Sequence, residues 1–144
     1  MSYCVLADIE KKRIPTDTLI QLTDDGNLGV IDEDMVNGCI QDATVLVEGY
    51  LRGRYTLPLS PVPDLAVTIT ADLAVYGIYA TKPQFDIPKS VQDRRDTALN
   101  LLARIQDGRM PLFDTVPDAT PTSNRVVSFS GPERIMSRDT LKDF

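Results

Sequence analysis

Apolar positions along the chain recur mainly at steps of three and four, and prolines and glycines break them into blocks. The clearest block is Val36, Cys39, Ile40, Ala43, Leu46, Val47, Tyr50 and Leu51, which traces one face of a helix. A helix is predicted over 33–52. Asp32 supplies an oxygen at the N-cap, Glu33 and Asp34 sit in the first turn where negative charge is favoured, and Gly53 stands near the end. Gly38 and Gly49 weaken the intrinsic propensity, and the reading given to them is close approach of another helix. The next helix begins with Pro63 in its first turn and runs to about Thr81. Leu65, Ile69, Leu73, Tyr76 and Tyr79 give its spacing, but it is apolar on several sides, as a central core helix is. Pro88 opens a third over 89–107, with Val91, Ala98, Leu99, Leu102 and Ile105 as its stripe and Gly108 after it. The charged run Asp93, Arg94, Arg95 and Asp96 is assigned to its wet face.

The rest is more broken. Residues 4–13 read as a short helix capped by Ser2, with Val5, Leu6 and Ile9 on one face and Pro15 ending the segment. Thr16 and Asp17 cap a second short turn containing Leu19, Ile20 and Leu22. Residues 23–29 are turn-rich, and the proline-rich stretch 55–63 is expected to be extended and stiff. Beyond Phe113 the pattern stops. Residues 114–125, with Pro117 and Pro121, read as a linker or flexible arm; Val126, Val127 and Phe129 suit a short strand; and the tail to Phe144 carries apolar anchors suited to docking. The expected fold is mainly α: a small helical bundle over 1–113 with an extended C-terminal arm over 114–144.

Composition narrows the chemistry. At 144 residues and 42% apolar, the chain suits one modest core. No stretch is long and apolar enough for a membrane span, and the N-terminus lacks a secretory pattern, so synthesis in the cytoplasm is expected. Histidine is absent, which removes the usual neutral-pH base and a common metal ligand. Cys4 and Cys39 show no CxxC spacing and read as small hydrophobes. The net charge of −6 is uneven: residues 1–50 carry 3 basic and 10 acidic side chains, and 51–144 carry 12 and 11. An acidic surface of this kind argues against a duplex binder and fits a basic protein partner or simple solubility.

Residues 24–35, DDGNLGVIDEDM, echo a calcium loop, but Gly26, Leu28 and Met35 stand where oxygen ligands are needed. A glycine-rich turn leading into a capped helix accounts for the segment, and no tight calcium site is expected. Arg52 and Arg54 flank Gly53 at a helix end, where they can meet terminal carbonyls or a neighbouring subunit. No nucleotide-binding, nucleophile-elbow or zinc motif occurs, so no catalytic, cofactor-binding or metal residue is assigned.

Several segments nonetheless resemble a known family. They are Tyr3 with Leu6-Ala7-Asp8, Leu19 to Asp24, Gly29-Val30-Ile31-Asp32, Tyr50-Leu51-x-Gly53-Arg54-Tyr55-x-Leu57-Pro58-Leu59, Val62-Pro63, Gly108 with Leu112, and Ser137-Arg138-Asp139-Thr140-Leu141-x-x-Phe144. Together they resemble the Mu-like phage family of small virion proteins, linked to the head–tail connector proteins of long-tailed phages. The resemblance implies a helical subunit that assembles as a ring beneath the portal protein, contacts tail-side neck proteins and performs no catalysis. It implies residence in the virion neck after assembly, with no membrane and no sequence-specific nucleic acid as partner. An acidic face would suit a channel through which DNA slides. The expected interface comprises Tyr50, Arg52, Arg54, Tyr55, Leu57 and Leu59 on the body and Val127, Phe129, Ile135, Leu141 and Phe144 on the arm. An adaptor that never enters the particle and a carboxylate-dependent hydrolase are the competing readings.

Overall fold

A computed structural model describes residues 1–113 as five helices: α1 (Leu6–Ile9), α2 (Thr16–Thr23), α3 (Glu33–Leu51), α4 (Asp64–Ala80) and α5 (Lys89–Gln106). Its longest elements follow directly from sequence chemistry. Asp32 caps α3 as expected, its Oδ1 accepting from the Met35 N–H at 3.1 Å. Prolines precede α2, α4 and α5 at their N-caps, where their fixed φ suits entry into the first turn. Gly108 follows α5 with φ +76, and its N–H bonds to the Ile105 carbonyl.

Helix α4 is the centre, packing against α3 and α5 and touching α1 and α2. That explains why its apolar residues are not confined to one stripe: Ala66, Ile69, Ala71, Leu73, Ala74, Val75 and Ile78 are all buried. From α3 come Val36, Ile40, Ala43, Val47 and Leu51; from α5, Val91, Ala98, Leu102 and Ile105. Gly77 of α4 lies against Cys39 near the start of α3, where an added Cβ would make ordinary contact at 3.7 Å. The α3–α4 pair is therefore antiparallel. Among the described residues Gly38 and Gly49 meet nothing within 4 Å, so the close helix approach expected of them does not occur there.

The N-terminal segment departs from expectation. Helix α1 is a single turn rather than a helix over 4–13. Lys11 takes a left-handed φ of 63°, and backbone bonds from Lys11 N to the Ile14 carbonyl and from Ile14 N to the Ile9 carbonyl close a tight turn. Burial explains the difference. Tyr3, Cys4, Ile9 and Ile14 all enter the core, and no single helical face carries that spacing. Val5 is exposed instead of core-facing, and Ser2 bonds Gln41 on α3 rather than capping α1. Thr16 and Asp17 lie inside the first turn of α2, after Pro15.

Long-range polar ties lock this segment down. The Tyr3 hydroxyl donates to Glu48 Oε1 at 2.8 Å and accepts from the Leu59 N–H at 3.2 Å. Arg13 bonds Asp72 of α4 at 2.7 Å and the Asp8 carbonyl at 2.6 Å. The 55–63 stretch is correspondingly bent rather than extended: turns at 52–54 start it back, and Leu59, drawn in by Tyr3, is buried. The peptide bonds Leu57–Pro58 and Ser60–Pro61 are cis. The expected arm over 114–144, with its short strand, lies outside the described residues.

Connectivity gives the bundle two ends. The start of α3, the end of α4 and the start of α5 meet at one, where Lys82 pairs with Asp25 and so ties the loop after α4 to the loop before α3. The end of α3, the start of α4 and the end of α5 meet at the other, where Arg54 Nη1 donates to the Gln106 carbonyl at 3.4 Å.

Candidate functional site

A helix with five or six core-facing positions leaves the remaining side to solvent or to a partner, and on α3 that side is unexpectedly apolar. Val45 is 58% exposed and Leu46 43%, with Gly49 beside them. Leu46 had a place in the predicted buried stripe; in the fold it stands at the stripe's edge, because α5 packs less closely against α3 than α4 does. Two hollows meet at Leu46. One, of about 340 Å³, is lined by Val45, Leu46, Gly49, Tyr50 and Gln106. The other, of about 310 Å³, lies between α3 and the end of α4, with Cys39, Leu46, Tyr76 and Arg95 in its wall. Arg95, partly exposed beside Asp96, also stacks on an aromatic ring: its guanidinium lies 4.6 Å from the Tyr76 ring centre. The groove is shallow and largely apolar, with Asp42 and Arg95 as the charged groups of its second hollow, a shape suited to receiving another polypeptide surface.

The predicted body interface is only partly gathered here. Tyr50 lines the groove half-buried. Arg52 is exposed at the end of α3, and Arg54 reaches the end of α5, so its carbonyl partner belongs to a different helix from its own. The Tyr55 hydroxyl accepts from the Leu112 N–H at 3.2 Å, and its ring meets Phe113 at 5.9 Å, which ties residues 112–113 to the body. Leu57 is half-buried, whereas Leu59 is buried and serves the subunit's own core. Val127, Phe129, Ile135, Leu141 and Phe144 lie outside the described residues. Sequence reasoning missed Val45 and Gln106. Val45 was legible as an apolar residue outside the core spacing, whereas Gln106 enters only through the packing of α5 on α3.

The acidic loop uses its oxygens internally. Asp24 accepts from the Leu28 N–H at 2.9 Å and the Gly29 N–H at 2.7 Å, and these bonds hold its carboxyl below the usual carboxylate range. Asn27 and Gly29 adopt the left-handed φ values of 53° and 73° that wrap the backbone around it. The loop tip leaves Leu28 77% exposed and Val30 57% exposed. Among the described residues, no three His, Cys, Asp or Glu side chains gather as a metal cluster, and no helix is long and apolar enough to cross a membrane.

The fold and surface therefore define a small helical-bundle protein whose most distinctive surface is an open apolar groove. Comparison with known proteins makes the class specific: the chain belongs to the bacteriophage Mu Gp36 family, whose model matches residues 3–130. It is similar to the Mu-like prophage FluMu protein gp36 of Haemophilus influenzae, at 27% identity over 114 residues covering 79% of this chain and 78% of that protein. It is also similar to Gene product J of Escherichia phage Mu, at 24% identity over 111 residues, or 76% of each chain.

Proposed function

We propose that this protein is a structural subunit of a phage or prophage head–tail connector, assembling as a ring between the portal and the tail. Family membership carries the reading, with relatives in phage Mu and in a Mu-like prophage. The connector role itself rests on the resemblance of the Tyr50–Leu59 block and the neighbouring motifs described above. The physical surface is in keeping with it. A ring subunit must stay folded alone yet keep surface for its neighbours. Val45 and Leu46 on α3, and Leu28 and Val30 on the loop before it, are exposed apolar groups of the kind subunit contacts cover.

In this role the partners are copies of the chain itself, the portal protein and tail-side neck proteins. The arm beyond Phe113 contributes its apolar residues to a neighbour or to the portal. The subunit resides in the host cytoplasm before assembly and in the virion neck afterwards, and it does no chemistry. Mass spectrometry of purified particles, followed by cryo-electron microscopy of the neck, tests the proposal. The expected result is a ring of this chain directly below the portal. Absence from mature particles would refute it and favour an assembly adaptor.

A further inference from the structure

The two ends of the bundle differ in charge. At the end formed by residues 24–34 and 81–89, Asp24, Asp25, Asp32, Glu33, Asp34 and Asp86 stand against Lys82 and Lys89, a balance of −4 among the described residues. At the opposite end, formed by residues 52–64 and 104–113, Arg52, Arg54, Arg104 and Arg109 face Asp64 and Asp107, a balance of +2. Glu33, Asp34, Arg52 and Arg109 are all exposed. Neither end is purely polar. The acidic end carries exposed Leu28 and Val30, and the basic end carries half-buried Tyr55 and Leu57 beside its arginines.

We infer that the acidic end of one copy docks against the basic end of the next, so that the chain associates head to tail. This rests on the reading of the chain as a ring-forming subunit and names the contact such a ring would use. Three observations converge on a second copy as the occupant. The charges are complementary, and each end sets apolar side chains among them. The two patches also lie at opposite ends of helices roughly 25–30 Å long, too far apart to satisfy each other within one subunit. A contact between two different patches is heterologous and propagates from copy to copy, closing into a ring when the rotation per copy permits. Its charged component weakens with salt, because exposed charges are screened.

Reciprocal charge reversal in the full chain tests the contact. One variant carries Arg52→Glu and Arg109→Glu, the other Glu33→Arg and Asp34→Arg. These sites spare the Asp32 cap, the Asp25–Lys82 pair and the bond from Arg54 to α5, and circular dichroism confirms that each variant is folded. Association is followed by analytical ultracentrifugation and native mass spectrometry at about 10 mM ionic strength, where screening is weak. Wild type is expected to associate, and more weakly as salt is raised. Each variant alone is expected to associate about tenfold or more weaker, because the first sets two acidic ends against each other and the second leaves its formerly acidic end with no net charge to attract the basic one. An equimolar mixture of the two variants is expected to regain association, since the unaltered acidic end of the first then meets the unaltered basic end of the second. A wild-type chain that stays monomeric at submillimolar concentration overturns the inference, as do variants that associate like wild type or a mixture that fails to recover. A chain found in the particle neck but indifferent to these reversals refutes this contact and leaves the connector proposal intact. Charge-dependent association by a chain absent from particles does the reverse.

Discussion

At the scale of single residues, Tyr3 shows how a side chain near the N-terminus can organise distant elements. Its ring is buried, and its hydroxyl joins Glu48 of α3 to the backbone of Leu59. Tyr3→Phe leaves the Leu59 N–H without that acceptor, and is expected to cost about 1–3 kcal/mol of folding stability with the helices intact. Urea unfolding measures it; an unchanged midpoint would mean water replaces the hydroxyl at no cost. Cys4, next in sequence, supplies a pH dependence. Burial and then the nearby Asp8 carboxylate push its thiol up from 9.0 to about 11, with Arg13 opposing. Between those values the unfolded chain sheds a proton that the fold retains, so stability is full below pH 9 and declines as pH rises toward 11. Urea midpoints across that range should fall in the wild type. They should fall less in Cys4→Ala, leaving the contributions of Cys39, Tyr3 and Tyr79, whose pKa values burial also raises. An identical slope in the two proteins would contradict this account. The cysteine was legible as a buried hydrophobe, but the Tyr3 link was not, because nothing in local spacing announces a bond across 45 or 56 positions.

At the scale of elements, legibility followed the source of the order. Helices α3, α4 and α5 were readable because their caps and apolar spacing are local and agree with one another. Helix α1 was overread because Lys11 turns the chain in a left-handed conformation that glycine would ordinarily signal, and because long-range burial of Cys4, Ile9 and Ile14 outweighs helical periodicity there. The glycines of α3 were read as sites of close helix approach, but among the described residues no helix closes on them. It is Gly77 that meets α3, while Gly38 and Gly49 face outward. An exposed helical glycine with open space around its Cβ gains from substitution, so Gly38→Ala is expected to stabilise the isolated subunit by about 0.5–1 kcal/mol. Thermal and urea unfolding check the gain. A loss of stability would show that another part of the chain already lies against that position. If stability rises while association falls, the bare face of α3 serves a partner.

At the scale of the whole molecule, the core determines which part of the chain can stand alone. Among the described residues it runs from Tyr3 to Leu112 and draws on every helix. At the end of that stretch the Leu112 N–H donates to the Tyr55 hydroxyl and Phe113 packs against the Tyr55 ring. The described core thus reaches Leu112, and the apolar spacing of the sequence stops beyond Phe113. A protein ending at Phe113 is accordingly expected to keep its helical circular dichroism and a single cooperative unfolding transition. The same truncation removes Val127, Phe129, Ile135, Leu141 and Phe144 and is expected to weaken ring formation or attachment to the particle. Two measurements separate these effects: thermal unfolding of the truncated chain, and its incorporation into particles in place of the full-length protein. Outright unfolding would place the arm in the subunit's own core. Normal incorporation with full infectivity would end the proposal that the arm docks on a partner. Folding retained with incorporation lost would divide the molecule at Phe113 into a body that carries the fold and an arm that carries part of the assembly.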